Sequence, residues 1–302
     1  MELDLFDTSI NFINCDCFDY LPEIKNESVK AVITDPPWKY LKNQKLEKDF
    51  DENLFFSECR RILKDDGFIV LFGRGTSFYR WNNILENLGF VFKEEFIWDK
   101  AHTSSPVLPV NRVHETISIH TKKSGILNKI KIPYSKTRNP EDLSKVINDV
   151  NRLKGVLNNK KALKELNDFF DTGLRNDFKE TETASKYGTT YATKKLGAKL
   201  INCANSVVNG FKPFSIMKIR REHYKTIHPT QKPVELMCRL IQLTTDEKDL
   251  VVDPFAGSCS TGIAAYKLAR DFFGCESDQE YYDKAVDRIK NEAPNKVLQK
   301  CG

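Results

Sequence analysis

Residues 29–38, Val-Lys-Ala-Val-Ile-Thr-Asp-Pro-Pro-Trp, constrain the fold of this chain more than any other stretch. The largely β-branched run Val29–Thr34 reads as a short buried strand. Pro36 and Pro37 end it, because proline offers no ladder N–H and holds φ at about −65°. An acid (Asp35), two rigid carbonyl-only residues and a flat aromatic (Trp38) therefore stand at the carboxyl end of a strand. Open α/β sheets bind their ligands there. These residue types suit an exocyclic amino group on a nucleobase, a poor nucleophile whose lone pair is delocalised into the ring. Asp35 can accept one N–H and the Pro36 carbonyl the other, favouring a more tetrahedral, more nucleophilic nitrogen. Trp38 offers a face for a base drawn out of its duplex, a contact worth about 1–3 kcal/mol. Taken alone, the tetrapeptide reads equally well as an Asp-Pro-Pro turn followed by a core tryptophan.

The flanking chain has the rhythm of an α/β sheet. Residues 8–14 alternate as a strand, and Phe18–Ile24 form a helix or helical turn. Residues 51–64 have helical spacing with Asp51 as N-cap, and Gly67 closes that unit. Phe68–Phe72 is a fully apolar strand, and Phe78–Leu88 a second amphipathic helix ending at Gly89. Phe90–Trp98 and Glu115–His120 are two more strands, a hairpin-like pair at one sheet edge. From about Lys122 to Lys225 the composition turns polar, with helices expected at 141–157 and 160–170 and an irregular stretch at 181–193. The rhythm then resumes, with helices at 234–243, 260–268 and 281–289 and strands at 250–252 and 272–275. Strand and helix alternating in this way predict a Rossmann-like, doubly wound, mostly parallel sheet. The domain expectation is residues 1–122 and 226–302 as one α/β domain, with 123–225 inserted as a mainly helical module.

Composition narrows the function classes. At 302 residues the chain can bury a large core, and no apolar run approaches membrane length. The acidic Met1-Glu2-Leu3-Asp4 start lacks a signal-peptide layout, so a cytoplasmic protein is expected. The eight cysteines include no zinc-like spacing, and free thiols in a reducing compartment are expected, with no metal. The net charge of +5 is too small to argue for nucleic acid, but between Leu196 and Lys232 seven basic residues face the single acid Glu222. Such a stretch can meet phosphates or be a solvated face.

A second site follows the strand at 250–252. Asp253-Pro254-Phe255-Ala256-Gly257-Ser258-Cys259 leads into a helix, and its small residues let backbone approach a ligand. Glu276, 23 residues after Asp253, ends the next strand, where an acid typically takes ribose hydroxyls. Neither a G-x-G-x-x-G fingerprint nor a Walker lysine is present. An adenosine ligand without polyphosphate, S-adenosylmethionine, fits better than a nucleotide. The plain alternative is a tight strand-to-helix turn.

With both sites in view the chain resembles the permuted, β-class DNA amino-methyltransferases, in which the catalytic half precedes the cofactor half. Asn14-Cys15-Asp16-Cys17, Asp35-Pro36-Pro37-Trp38, Phe96–Lys100, Asn111–Glu115, His228–Pro233 and Asp253–Ser258 resemble that family's landmarks in order. They span residues 10–120 and 226–290. The resemblance implies transfer of a methyl group from S-adenosylmethionine to N6 of a flipped-out adenine, leaving S-adenosylhomocysteine. Asp35, Pro36, Pro37 and Trp38 are then catalytic. Asp16, Thr230, Lys232, Asp253, Phe255, Ala256, Gly257, Ser258 and Glu276 would hold the cofactor. Asp16 alternatively contacts the target adenine or simply caps the following helix, and Phe255 alternatively belongs to the core. His114 is expected to be a structural hydrogen-bonding group. The insertion would recognise double-stranded DNA, with Lys194, Lys195, Lys199, Arg220 and Arg221 on phosphates and Tyr187 and Tyr191 stacking. A bacterial or phage-encoded protein is implied; a homodimer and a cognate restriction endonuclease are left open. The nearest rival reading is cytosine-N4 methylation; more distant ones are an RNA adenine methyltransferase and a non-catalytic nucleic-acid binder. Cys259 stands where the family usually carries glycine, which suggests sensitivity to thiol reagents.

Overall fold

The computed structural model describes residues 9–38, 49–102, 109–133, 140–158, 160, 163–164, 184–185, 188–189, 196–221 and 226–293. The strands are β1 (Ile10–Asn14), β2 (Val29–Thr34), β3 (Leu63–Gly73), β4 (Val91–Asp99), β5 (His114–Thr121), β6 (Ala184–Ser185), β7 (Gly188–Thr189), β8 (Ile216–Lys218), β9 (Leu250–Asp253) and β10 (Asp271–Glu276). The helices are α1 (Cys17–Tyr20), α2 (Glu52–Ile62), α3 (Gly75–Asn87), α4 (Pro140–Leu157), α5 (Leu196–Asn209), α6 (Val234–Thr244), α7 (Ser260–Lys267) and α8 (Gln279–Glu292).

Eight strands form one sheet in the order β1-β10-β9-β2-β3-β5-β4-β8. The first five in that order run parallel. β5 is antiparallel to both β3 and β4, and β8 is parallel to β4. The mostly parallel α/β sheet is the one the sequence predicts. Its central strands carry buried apolar runs, Ala31–Ile33, Phe68–Phe72 and Val251–Val252, because both faces are covered there. On one face Val32, Ile69 and Leu71 join Phe55, Phe56, Cys59 and Ile62 of α2 and Phe78, Trp81 and Leu85 of α3 in a single core. α6 and α7 pack on each other and against the sheet, α6 on β2 and β3, and α7 on β9 and β10.

Local chemistry sets the element ends. Asp51 caps α2 by accepting from the Leu54 N–H at 3.0 Å. After α3, Gly89 takes φ 79°, and the Gly89 and Phe90 N–H groups close on Glu86 and Leu85 carbonyls. Glycine takes that left-handed turn without the local strain an L side chain adds. α8 returns to β1, with Phe12 and Tyr282 stacked at 5.1 Å.

Two details differ from the sequence reading. β3 begins at Leu63, directly after α2, because residues 64–67 bulge between the Val29–Leu63 and Ala31–Phe68 pairings. The β4–β5 pair is antiparallel as expected, yet β8 covers the outer end of β4, so the pair does not form the sheet edge there.

The chain divides into two compact units, Met1–Lys129 with Phe214–Gly302, and Ile130–Pro213. Residues 123–129 and 214–221, assigned to the insertion from sequence, belong to the first unit. Within it the Asn128 N–H donates to the Leu243 carbonyl at 2.8 Å, and β8 joins the main sheet. In the second unit α4 packs on α5, and the Cys203 thiol donates to the Asp149 carbonyl at 2.9 Å. An antiparallel bridge between Ile132 and Phe211 brings the two chain ends of that unit together. Most of the helix expected at 160–170 and of the stretch 181–193 lies outside the described residues. Among the described residues no helix is long and apolar enough to cross a membrane, and no acid, histidine and cysteine cluster could hold a metal.

Candidate functional site

β1, β10, β9 and β2 lie side by side and parallel, so their carboxyl ends form one edge. Four chain segments distant in sequence thereby deliver Asp16, Glu276, Asp253 and Asp35 to the same place. A cavity of about 540 Å³ opens there, and every residue expected above to be catalytic or cofactor-binding lines it.

One end of the cavity is built by loops that are held by their own side chains. Asp16 accepts from the Phe18 N–H at 3.0 Å, so it caps α1 as well as lining the cavity. Glu276 accepts from the Asp278 N–H at 2.8 Å, and its carbonyl receives Asn14 Nδ2 at 2.8 Å. Asp253 accepts from the Phe255 N–H at 3.2 Å and the Thr261 hydroxyl at 2.5 Å, pinning the loop to the first turn of α7. Burial pushes the Asp253 carboxyl up to about 7, against the pull of those donors. Phe255 meets Phe50 and Phe55 at 5.6 and 5.2 Å, so it packs on the core and also faces the cavity.

Gly257 has φ 51°, and a Cβ there would meet the His228 ring at 3.4 Å. The buried His228 rests edge-on against Tyr281 at 4.3 Å, and its Nδ1 lies 3.0 Å from the Thr230 hydroxyl. Burial, helped by Lys232, lowers its pKa to about 4, so the ring is neutral. Cys259 also sits in the left-handed region, at φ 58° and ψ 32°. Its thiol is fully buried, and burial pushes its pKa up. The expected thiol-reagent sensitivity therefore does not attach to Cys259. The half-buried thiol on the cavity wall is Cys15, whose pKa a hydrogen bond with Cys275 lowers.

At the other end stands Asp35. Trp38 Nε1 donates to its Oδ1 at 2.9 Å, and Lys232 Nζ donates to its Oδ2 at 2.5 Å. The Ser77 hydroxyl holds the Trp38 carbonyl at 2.5 Å, anchoring the Pro36-Pro37-Trp38 turn to α3. Lys232 also pairs with Glu115 Oε2 at 3.0 Å, and Lys100 lies 3.4 Å from Glu115 Oε1. The Lys232 ammonium sits 5.0, 5.7 and 5.9 Å from the ring centres of Phe72, Trp98 and Trp38. Burial opposes the charge on Lys232, but Asp35 and Glu115 outweigh it and hold its pKa above the usual ammonium value. Burial raises the Asp35 carboxyl, Lys232 opposing and Glu115 reinforcing. The sequence reading set Lys232 beside the cofactor. Its backbone does meet the 253–259 loop region, where Ser260 Oγ donates to the Lys232 carbonyl at 2.7 Å, but its charge lies on Asp35.

A family model described as DNA methylase, for N6 and N4 methyltransferases, matches residues 29–287. The chain belongs to this DNA methylase family. It is 26% identical over 320 aligned residues to the type II methyltransferase M.HinfI of Haemophilus influenzae, covering 98% of this chain and 72% of that protein. Its fold is similar to that of M1.HpyAVI in complex with SAM (TM-score 0.53, 21% identity, 92% of this chain and 99% of that one). It is also similar to the cytosine-N4-specific PvuII DNA methyltransferase (TM-score 0.56, 16% identity, 94% and 90%).

The residues expected on DNA are distributed differently in this methylase. Arg221 lines the cavity, and its guanidinium donates to the Pro229 carbonyl, whereas Arg220 is exposed. Lys199 is on α5, in the second unit. Lys194, Lys195, Tyr187 and Tyr191 lie outside the described residues. Glu115 and Lys100 were not among the expected site residues. Both stand in motifs quoted above, but nothing in a linear sequence says that antiparallel β4 and β5 turn them toward Lys232. The His114 backbone carbonyl lies 3.5 Å from Arg74 Nη1.

Proposed function

We propose that this methylase transfers a methyl group from S-adenosylmethionine to N6 of an adenine flipped out of double-stranded DNA. The observation that carries the reading is the placement of Asp35 and Trp38 on the same cavity as the 253–258 loop and Glu276. A cationic adenosine ligand suits a cavity whose lining carries eight acidic residues against the two cations Arg221 and Lys232. Asp16, Thr230, Lys232, Asp253, Phe255, Ala256, Gly257, Ser258 and Glu276 would hold it, Glu276 taking the ribose hydroxyls. When bound, it supplies an electrophilic methyl group.

The chain's own residues prepare the nucleophile. Asp35 and the Pro36 carbonyl accept the two amino hydrogens, which localises the nitrogen lone pair. Pro37 keeps the turn rigid, and Trp38 stacks on the extruded base. For this, Lys232 releases Asp35 Oδ2, the oxygen that then accepts the amino hydrogen. Orienting the nitrogen against the methyl carbon while excluding water supplies much of the acceleration. The target adenine rather than cytosine rests on Asp35 at the first position of the tetrapeptide. The 130–213 unit is proposed to recognise the DNA sequence, with Lys194, Lys195, Lys199, Arg220 and Arg221 on phosphates.

The test uses radiolabelled S-adenosylmethionine, unmethylated DNA and digestion to nucleosides. Label is expected in N6-methyladenosine, falling about a hundredfold or more in Asp35→Ala. Label in N4-methylcytosine would keep the reaction and overturn the choice of base. Label on RNA alone, or none with the cofactor still bound, would overturn the DNA reading.

A further inference from the structure

Asp35 has both carboxylate oxygens engaged, Oδ1 by Trp38 and Oδ2 by Lys232. An arriving amino group needs one of them. The ammonium is the partner with a second anion at hand, since Glu115 Oε2 already lies 3.0 Å from it. Glu115 is itself fixed: it stands opposite Trp98 in the β4–β5 ladder, and Lys100 lies 3.4 Å from its other oxygen. Positive and negative groups thus alternate along Lys100, Glu115, Lys232 and Asp35, all but Asp35 buried. Stranding a cation in such a place is strongly unfavourable, so the ammonium can leave Asp35 only toward another anion. Burial raises the pKa of Glu115, but Lys232 and Lys100 outweigh it and keep the carboxyl below its usual value.

We propose that Glu115 is a positioning residue of this methylase, which takes over the Lys232 ammonium when the target base claims Asp35. Glu115 acts on the base only through Lys232. The Phe72 and Trp98 rings, 5.0 and 5.7 Å from the ammonium, keep a favourable surface against it through the short transfer. The inference rests on the base-methylating reading above, in which Asp35 receives the amino group.

The experiment compares wild type with Glu115→Gln, Glu115→Asp, Lys232→Met and the Glu115→Gln/Lys232→Met double variant. It reads the Kd for S-adenosylmethionine, the kcat and KM for DNA methylation, and the rate at which acetic anhydride acetylates Lys232 in the resting protein. Glu115→Gln is expected to keep the cofactor Kd within about twofold while kcat falls about tenfold to a hundredfold. Lys232 should acetylate several-fold faster, because an amine with one anion fewer is more often unprotonated. Glu115→Asp keeps the charge and should recover part of kcat. The double variant should be no slower than Lys232→Met, since without the ammonium Glu115 has no part left in freeing Asp35. An unchanged kcat in Glu115→Gln, losses that multiply in the double variant, or an unchanged acetylation rate would each overturn the proposal. If wild type methylated no DNA, the functional reading would fall separately. The acetylation comparison would still decide whether Glu115 holds Lys232, an unchanged rate again overturning it.

Discussion

Cys259 combines a backbone conformation suited to glycine with a side chain buried as tightly as any in the core. The left-handed conformation costs an L-residue about 1–2 kcal/mol, and burying a group of this size returns about 1 kcal/mol. The two terms oppose each other, so substitutions separate them. Cys259→Ala keeps the strain and loses the packing, and should unfold about 1 kcal/mol more easily than wild type. Cys259→Gly loses both and should stay close to wild type, above the alanine variant. Urea denaturation of the three proteins checks the order; alanine matching or exceeding glycine would remove strain as the explanation. The resemblance already marked position 259 as unusual, because glycine is expected there. That the thiol would point inward, away from reagents, depended on how α7 packs on β10, which residue spacing does not report.

The outer half of the sheet shows the same division among elements. β4 and β5 were legible from their alternation, and so was their hairpin-like pairing, although 14 residues separate them. β8 was not, since Ile216-Met217-Lys218 is too short for a periodic signal and lies within a polar, basic stretch. What recruits it is tertiary: the buried Trp98 Nε1 donates to the Ile219 carbonyl at 2.8 Å, and the Ile219 N–H donates to Asp99 at 3.1 Å. Trp98→Phe leaves that buried carbonyl unsatisfied, a loss of about 1–3 kcal/mol. It should speed hydrogen exchange at Met217 and Ile219 while leaving the β2 and β3 amides protected. Equal protection at β8 in the variant would show that the indole N–H does not anchor it. α2 stands at the other extreme, with its Asp51 cap and apolar face readable from the sequence, and only its end, at Ile62, falling short of the expected residue 64.

Across the whole molecule, every described residue of the candidate catalytic and cofactor sites belongs to the first unit. The second unit begins and ends at neighbouring points, because Ile132 and Phe211 exchange backbone hydrogen bonds of 2.8 and 3.1 Å. Replacing residues 131–212 with a short Gly-Ser linker should therefore leave a folded protein that binds S-adenosylmethionine with little change, but methylates DNA far more slowly or without site preference. Calorimetry and mapping of methylated sites read the two parts. Full, site-selective methylation by the shortened protein would move target recognition out of the 130–213 unit. The sequence by itself determined the α/β class, the tetrapeptide at the end of β2, the 253–258 loop and the acid 23 residues beyond Asp253. Those features are local, written in strand-length apolar runs, turn residues and fixed spacings. Only the tertiary structure decided that Lys232 lies on Asp35, that Glu115 and Lys100 stand behind it, and that β8 belongs to the main sheet. Each of these joins residues far apart in sequence, where pairing depends on strand order and on which face a side chain takes, and neither is carried by local periodicity.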